Sequence, residues 1–399
     1  MFIDALQKQN PALRDCAVSL LRQGTILPDT YVIDVDQFRA NARMIKATAD
    51  KYQIKLYAMT KQFGRNPLLA RMLVDEIGYE GIVCVDFKEA LHFQQFGITI
   101  SHIGHLVQPP AHFINNIVTT IKPEVVTIYS REKAQALSQA ASQAGYTQAI
   151  LLKFYAPSDP LYPNQEAGFP LEALADTLAF ISQLPNISIA GITHFPCFLY
   201  QPQSHSTQPT PNLHTAIAAA EQAELLGYPM VQINLPSSTS CETLPLIHHM
   251  GGTHGEPGHA LTGTTPANQD GSQPEKIAML YITEISHHFN DRSYCFGGGH
   301  YSRSQLQTAL VYDTKGHSDH HPGIDNSAYQ RLTLSPSMEN NIDYYFQLNG
   351  LCPVGSPVVM AFRTQLFVTR SDVALVEGIA SNTPRLLGIF DTQGKEIKR

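Results

Sequence analysis

The sequence predicts an α/β chain, a (β/α)8 barrel of the TIM type followed by a C-terminal all-β domain. Three observations predict it. From residue 30 to about 265, strand-like apolar runs alternate with helical patterns. Several of those runs are apolar on both faces, as a parallel sheet covered by helices requires. Past residue 265 helical periodicity fades, and short β-prone runs separated by turn residues take over.

Residues 1–29 read as an N-terminal helical segment. Asn10 can cap a helix, Pro11 suits its first turn, and Gly24 lies just past its close. Leu13, Cys16, Ala17, Leu20 and Leu21 recur between them at helical spacing. "YVIDV" (31–35) is a strand with a long helical stretch behind it. Eight further strands follow: 55–61, 81–86, 101–107, 124–130, 149–155, 188–195, 230–236 and, most faintly, "THGEPG" at 253–258. The helical stretches between them are rich in Ala, Leu, Glu and Gln, and two end at Gly145 and Gly227. Eight such units over this length point to a closed barrel rather than an open sheet. The barrel is assigned 30–265 and the β-domain 266–399, with strands in "MLYITEIS", "TALVYD", "RLTLS", "DYYFQL", "PVVMAF" and "QLFVT".

Composition sets the class. The 399 residues are 43% hydrophobic, enough for a full-sized core, and carry a net charge of -7 with no basic cluster, which argues against a nucleic-acid surface. Only 15% are charged, against about 25% in typical soluble domains. A chain so sparing with charge is expected to cover much of its surface with partner subunits or with uncharged polar groups. The six cysteines are far apart and form no CxxC, "MFIDALQKQN" has no signal-peptide pattern, and no run nears the ~20 apolar residues of a membrane helix. The expectation is a soluble, reduced, cytoplasmic protein with no membrane partner.

In a TIM-type barrel the chemistry gathers where the strands end. The first barrel strand ends at Lys61, in "YAMTKQFGRNP". A lysine at a barrel mouth suits a Schiff base once its charge is suppressed, although a salt-bridged lysine is the commoner case. The sixth strand ends in "THFP" and places His194 at the mouth, as a base or as a hydrogen-bonded structural group. The seventh runs into "NLPSSTSCETL", whose Ser237 and Ser238, with their N–H groups, can receive an anion or simply cap a helix. The eighth ends in "HGEPGHALTG", where Glu256 is followed by Pro257 and Gly258. An amine, a carboxylate, an aromatic base and an anion site at matching strand ends fit pyridoxal 5′-phosphate.

The run from about 30 to 265 resembles the barrel domain of the alanine-racemase-like, fold-type III pyridoxal-phosphate enzymes. "YVIDVDQFRANARMIKA", "AMTKQFG" and "VDFKEALHFQQFGI" carry the resemblance, and "LSPSMENNIDYY…VGSPVVMAF" is similar to the family's β-domain. The match extends to a YhfX-type bacterial subgroup. The resemblance implies that Lys61 bonds the cofactor, that His194 lies against it, and that Ser237, Ser238, Gly258 and His259 surround its phosphate. It also implies a homodimer. Two departures follow. Alanine racemase has an arginine where this chain has Glu256, and the "EPG" form is similar to the fold-type III decarboxylases. A carboxylate there keeps the pyridine nitrogen protonated and the ring a stronger electron sink. The racemase also supplies a tyrosine from its β-domain as a second base; the corresponding place here is Gly297, leaving His300 and Tyr301 for that role.

Other classes fit less well. "FGGGHYS" has no βαβ unit around it, so a dinucleotide site is excluded, and no G-x-S-x-G elbow marks a hydrolase. The histidines of "HHMGGTHGEPGH" and "HSDHH" have no zinc-site spacing. The expected activity is an isomerase, an amino-acid racemase or epimerase working at the α-carbon of a small amino-acid-like substrate. A decarboxylase, an aldolase or dehydratase of the same fold, and a non-catalytic cofactor-binding protein are the alternatives.

Overall fold

A computed structural model describes residues 1–300, 304, 306–314, 329–335 and 343–398. Two compact units make up the chain. One comprises Ala42–Thr60 and Pro67–Gly258; the other comprises Met1–Asn41, Lys61–Asn66 and His259–Arg399.

The first unit is the barrel. Its strands are Lys55–Met59, Gly81–Val83, Ile100–Ile103, Val125–Ile128, Gln148–Tyr155, Ile187–Thr193, Gln232–Asn234 and His254–Gly255. All pair in parallel with their sequence neighbours, and the eighth pairs with the first to close the ring. Even the faint eighth strand, only two residues long, holds both its neighbours, through Asn234 opposite His254 and Lys55 opposite His254. Tyr57, Met59, Val83, Val85, Val125 and Leu151 fill the interior. Outside lie helices whose ends the sequence encodes: Asp86 and Ser130 cap Phe87–Gln95 and Arg131–Ala144, and Gly145 closes the latter at φ +60°.

The second unit is built on a mixed sheet ordered Tyr329–Thr333, Thr308–Tyr312, Pro357–Met360, Met279–Phe289, Thr30–Asp34, Asp372–Glu377 and Arg385–Asp391. Thr30–Asp34 runs antiparallel to Met279–Phe289 and parallel to Asp372–Glu377. The strand assigned by sequence to the start of the barrel region thus pairs with C-terminal strands, and the units do not divide at one point near 265. The helix Pro11–Arg22 forms as expected, with Asn10 accepting from Leu13 N–H, and a second helix, Phe2–Gln9, precedes it. Both lay apolar faces on the sheet: Phe2, Leu6, Leu13 and Val18 share a core with Val32, Leu280, Val359 and Ala374. "QLFVT", expected as a strand, is a short 3-10 turn, Leu366–Val368. Only Leu366 of that turn is buried, so it lacks the alternation a strand would need. No helix among the described residues is long and apolar enough to cross a membrane.

Candidate active site

Polar side chains gather at the C-terminal end of the barrel, around Glu256. This carboxylate follows the eighth strand, and its own N–H donates to Thr239 Oγ1 at 2.9 Å. Asn234, ending the seventh strand, donates to Glu256 Oε1 at 2.8 Å. His102 of the third strand places Nδ1 2.8 Å from the same oxygen, while its Nε2 meets Thr127 Oγ1 of the fourth at 2.6 Å. The Nε2 of His105 lies 3.9 Å from Oε2. Burial pushes the carboxyl pKa up, but the His105 charge and the His102 and Asn234 hydrogen bonds outweigh it and hold it at about 2. Glu256 is therefore a carboxylate whose Oε1 is saturated. Its buried Oε2 has no hydrogen-bond partner among the described residues.

His194 follows the sixth strand. Phe195 N–H donates to its Nδ1 and its Nε2 lies 2.8 Å from Asp159 Oδ2, so the proton sits on Nε2 and the ring is neutral. Burial lowers its pKa and the Lys153 charge adds to that, against the opposing pull of Asp159. Asp159 is itself fixed by Ala156 N–H and Thr215 Oγ1, each at 2.8 Å. Both of its nitrogens are engaged and its side chain is fully buried. Lys153 of the fifth strand is buried, its ammonium 5.5 Å from the centre of the Tyr129 ring, and burial pushes its pKa down to about 8. Lys153, Thr193 and Asn234 sit at one level, because Thr193 pairs with both of the others.

The loop after the seventh strand differs from expectation in one respect. The Ser237 and Ser238 hydroxyls both donate to the Phe198 carbonyl, at 2.8 and 3.4 Å, so they are turned away from any anion. Both residues lie in the left-handed region, at φ +90° and +53°, a conformation costly for serine. Such a turn swings successive N–H groups to one side. No backbone acceptor among the described residues takes the N–H of Ser237, Ser238 or Thr239.

The other expected residues belong to the sheet unit. Lys61 lies in the turn Thr60–Phe63, its ammonium 6.0 Å from the Phe367 ring centre. In the barrel unit, the preceding Thr60 is anchored through its hydroxyl to the Glu89 carboxylate. His259 does not present a free ring: its Nε2 is met by Arg363 Nε at 3.3 Å and by Gln365 Nε2 at 3.4 Å, and its Nδ1 by Thr264 Oγ1 at 3.2 Å. Burial, then the charges of Arg363 and Lys61, push its pKa far down, so it is neutral. His300 pairs with Asp343 at 3.6 Å and lies edge-on to Phe346. Tyr301 lies outside the described residues, as do the histidines of "HSDHH".

Four residues of this arrangement were not singled out from sequence: His102, His105, Lys153 and Asp159. The first three carry a visible signal, a charged or titratable residue within or just after an otherwise apolar barrel strand.

A closed parallel eight-stranded barrel, in a chain that also builds a separate sheet domain, is the alanine racemase-like fold. The chain belongs to the alanine racemase family: residues 33–266 match the model of the alanine racemase N-terminal domain, and 280–386 that of the YhfX-like C-terminal domain. It is 48% identical over 397 residues to YhfX of Escherichia coli (strain K12), spanning 100% of both chains. Its fold is similar to that of D-threonine aldolase from Filomicrobium marinum (TM-score 0.66, 13% identity, 92% of this chain and 95% of that one). It is also similar to alanine racemase from Clostridium difficile 630 (TM-score 0.62, 15% identity, 92% and 99%). Members of this fold family use pyridoxal 5′-phosphate.

The barrel residues suit that group. A buried carboxylate oxygen lacking a donor among the described residues matches a protonated ring nitrogen, and three successive N–H groups without a backbone acceptor match a phosphate.

Proposed function

We propose that the protein is a pyridoxal-phosphate enzyme acting at the α-carbon of a small amino acid, a racemase or epimerase in the first instance. The observation that carries this reading is Glu256, held ionised with one buried oxygen still without a donor. When bound, the cofactor supplies an aromatic ring that accepts the electrons released at the α-carbon. Lys61 would hold it covalently through its amine, and Glu256 Oε2 would accept the ring N–H and keep it protonated. The Ser237–Thr239 N–H groups and Gly258 would receive the phosphate. His194 would lie against the ring and exclude water from that face; with both nitrogens hydrogen-bonded, it does not move a proton. His300, partnered by Asp343, and Tyr301 are the proposed second acid/base groups. By analogy with the family the working form is a homodimer, with each site completed by its partner.

A second reading, retro-aldol cleavage, is supported by 26% identity over 246 residues to D-threonine aldolase of Arthrobacter sp.. A protonated ring serves either reaction.

One experiment addresses both. Purified protein is incubated with a panel of D- and L-amino acids in deuterium oxide, with α-proton exchange followed by NMR and aldehyde release by a coupled assay. Exchange of both enantiomers without aldehyde is expected. Aldehyde from β-hydroxy amino acids selects the second reading. Lys61→Ala is expected to abolish both the visible absorbance of the cofactor and the exchange; absorbance persisting at wild-type intensity would reject Lys61 as the bonding residue.

A further inference from the structure

Arg363 offers a guanidinium fork beside His259. Its Nε donates to His259, and its backbone N–H to the Ser304 carbonyl at 3.1 Å. No carboxylate pairs with its terminal nitrogens among the described residues, and the residue is half-buried. Arginine only donates, so His259 Nε2 is an acceptor and its proton sits on Nδ1, directed at Thr264. That fixes the neighbouring amide as well. Gln365 must turn its Nε2 toward His259, which leaves its Oε1 facing away, buried and without a partner. Arg363 and Gln365 are two residues apart and reach the same imidazole, which places both side chains on one side of the segment.

We infer that Arg363 and Gln365 form a docking pair for a carboxylate that carries a hydrogen-bond donor beside it. The guanidinium fork presents two parallel N–H groups, the shape that grips a carboxylate in bidentate fashion. Gln365, held on the same imidazole, has a buried Oε1 acceptor without a partner among the described residues, which attracts a ligand hydroxyl or amino hydrogen and disfavours a phosphate dianion. His259 acts as the brace: kept neutral by burial and by the charges of Arg363 and Lys61, it holds both side chains by their inner nitrogens. The Lys61 charge adds to the positive field in which the anion sits. A ligand of this class is an α-amino or hydroxy acid. The inference rests on the reading given under Proposed function for the identity of that ligand as substrate, and on the Arg363 geometry alone for its binding.

The test uses holoenzyme and three probes, glycolate, acetate and inorganic phosphate, with affinity measured by calorimetry and by melting temperature. Glycolate is expected to bind more tightly than acetate, and both more tightly than phosphate. Arg363→Lys keeps the charge but loses the fork, and is expected to weaken glycolate about ten- to hundredfold with the cofactor absorbance unchanged. Gln365→Leu is expected to erase the preference for glycolate over acetate while acetate still binds. Absence of glycolate binding by the wild type, or equal binding by Arg363→Lys, overturns the inference. Loss of cofactor absorbance together with phosphate binding in Arg363→Lys also overturns it, by assigning the fork to the cofactor phosphate. If Lys61→Ala retains full cofactor absorbance while glycolate still depends on Arg363, the proposed function fails and the docking pair stands.

Discussion

Glu256 in the barrel unit and Asp29 in the sheet unit are both withdrawn from water, yet they titrate in opposite directions. Glu256 is held at about 2, with a histidine and an amide on one oxygen and a second imidazole 3.9 Å from the other. Among the described residues Asp29 accepts side-chain hydrogen bonds from hydroxyls only, Tyr281 at 2.9 Å and Ser371; burial dominates and raises it to about 6 despite these and the Arg370 charge. Its other oxygen abuts Gly298, where an added Cβ would sit 2.1 Å from Oδ2. Burial, then, does not decide whether a carboxylate keeps its charge; the number and charge of its donors do. The barrel maintains an anion, while the sheet unit holds a group that changes charge near neutrality.

Removing the barrel anion should have the largest effect. Glu256→Gln is expected to keep the cofactor absorbance and to slow α-proton exchange about a hundredfold, since an amide cannot keep a ring nitrogen protonated at neutral pH. Measuring exchange and melting temperature on the same variant separates this from a packing role, which would lower the melting temperature and spare the rate per folded molecule.

Asp29 gives the second test, with the opposite sign. A carboxyl raised on folding from 3.8 to about 6 contributes stability that is complete below pH ~4 and lost as pH rises through about 6. Asp29→Asn should therefore be about 1–3 kcal/mol more stable than the wild type at pH 8, and level with it near pH 4. Urea denaturation at the two pH values checks this; equal stability of both proteins at pH 8 would mean Asp29 keeps an ordinary pKa. The smallest effect is expected from Asn234→Ala, which takes one of several donors from Glu256. Exchange should fall only about threefold at pH 8 and somewhat further at pH 5. A pH-independent loss would show that Asn234 acts other than through the carboxylate.

Seven strands of the barrel were legible because each contains a short apolar run, whereas the eighth, His254–Gly255, has none and stood out only faintly. What periodicity cannot supply is the partner. Thr30–Asp34 reads as well for one sheet as for the other, and only its pairing with Met279–Phe289 and Asp372–Glu377 decides. The same limit applies to the site. Glu256 stood out through its neighbours Pro257 and Gly258, but the histidines that set its charge come from a strand about 150 residues earlier, joined to it only by ring closure. For Ser237 and Ser238 the residue type suggested hydroxyl donors, whereas the backbone conformation turned those hydroxyls to Phe198 and left the amides.

The placement of Thr30–Asp34 also fixes an order of events during synthesis. At about 5–20 residues per second, the ribosome takes roughly 17–70 seconds to add the ~340 residues that separate this strand from Asp372–Glu377. All eight barrel strands emerge in the interval. The barrel can therefore close while a five-residue strand, buried at every position in the finished molecule, still has neither edge paired. The earliest sheet strand to be made waits longest for its second neighbour, and until Met279–Phe289 emerges both of its edges are open to joining another copy of the chain.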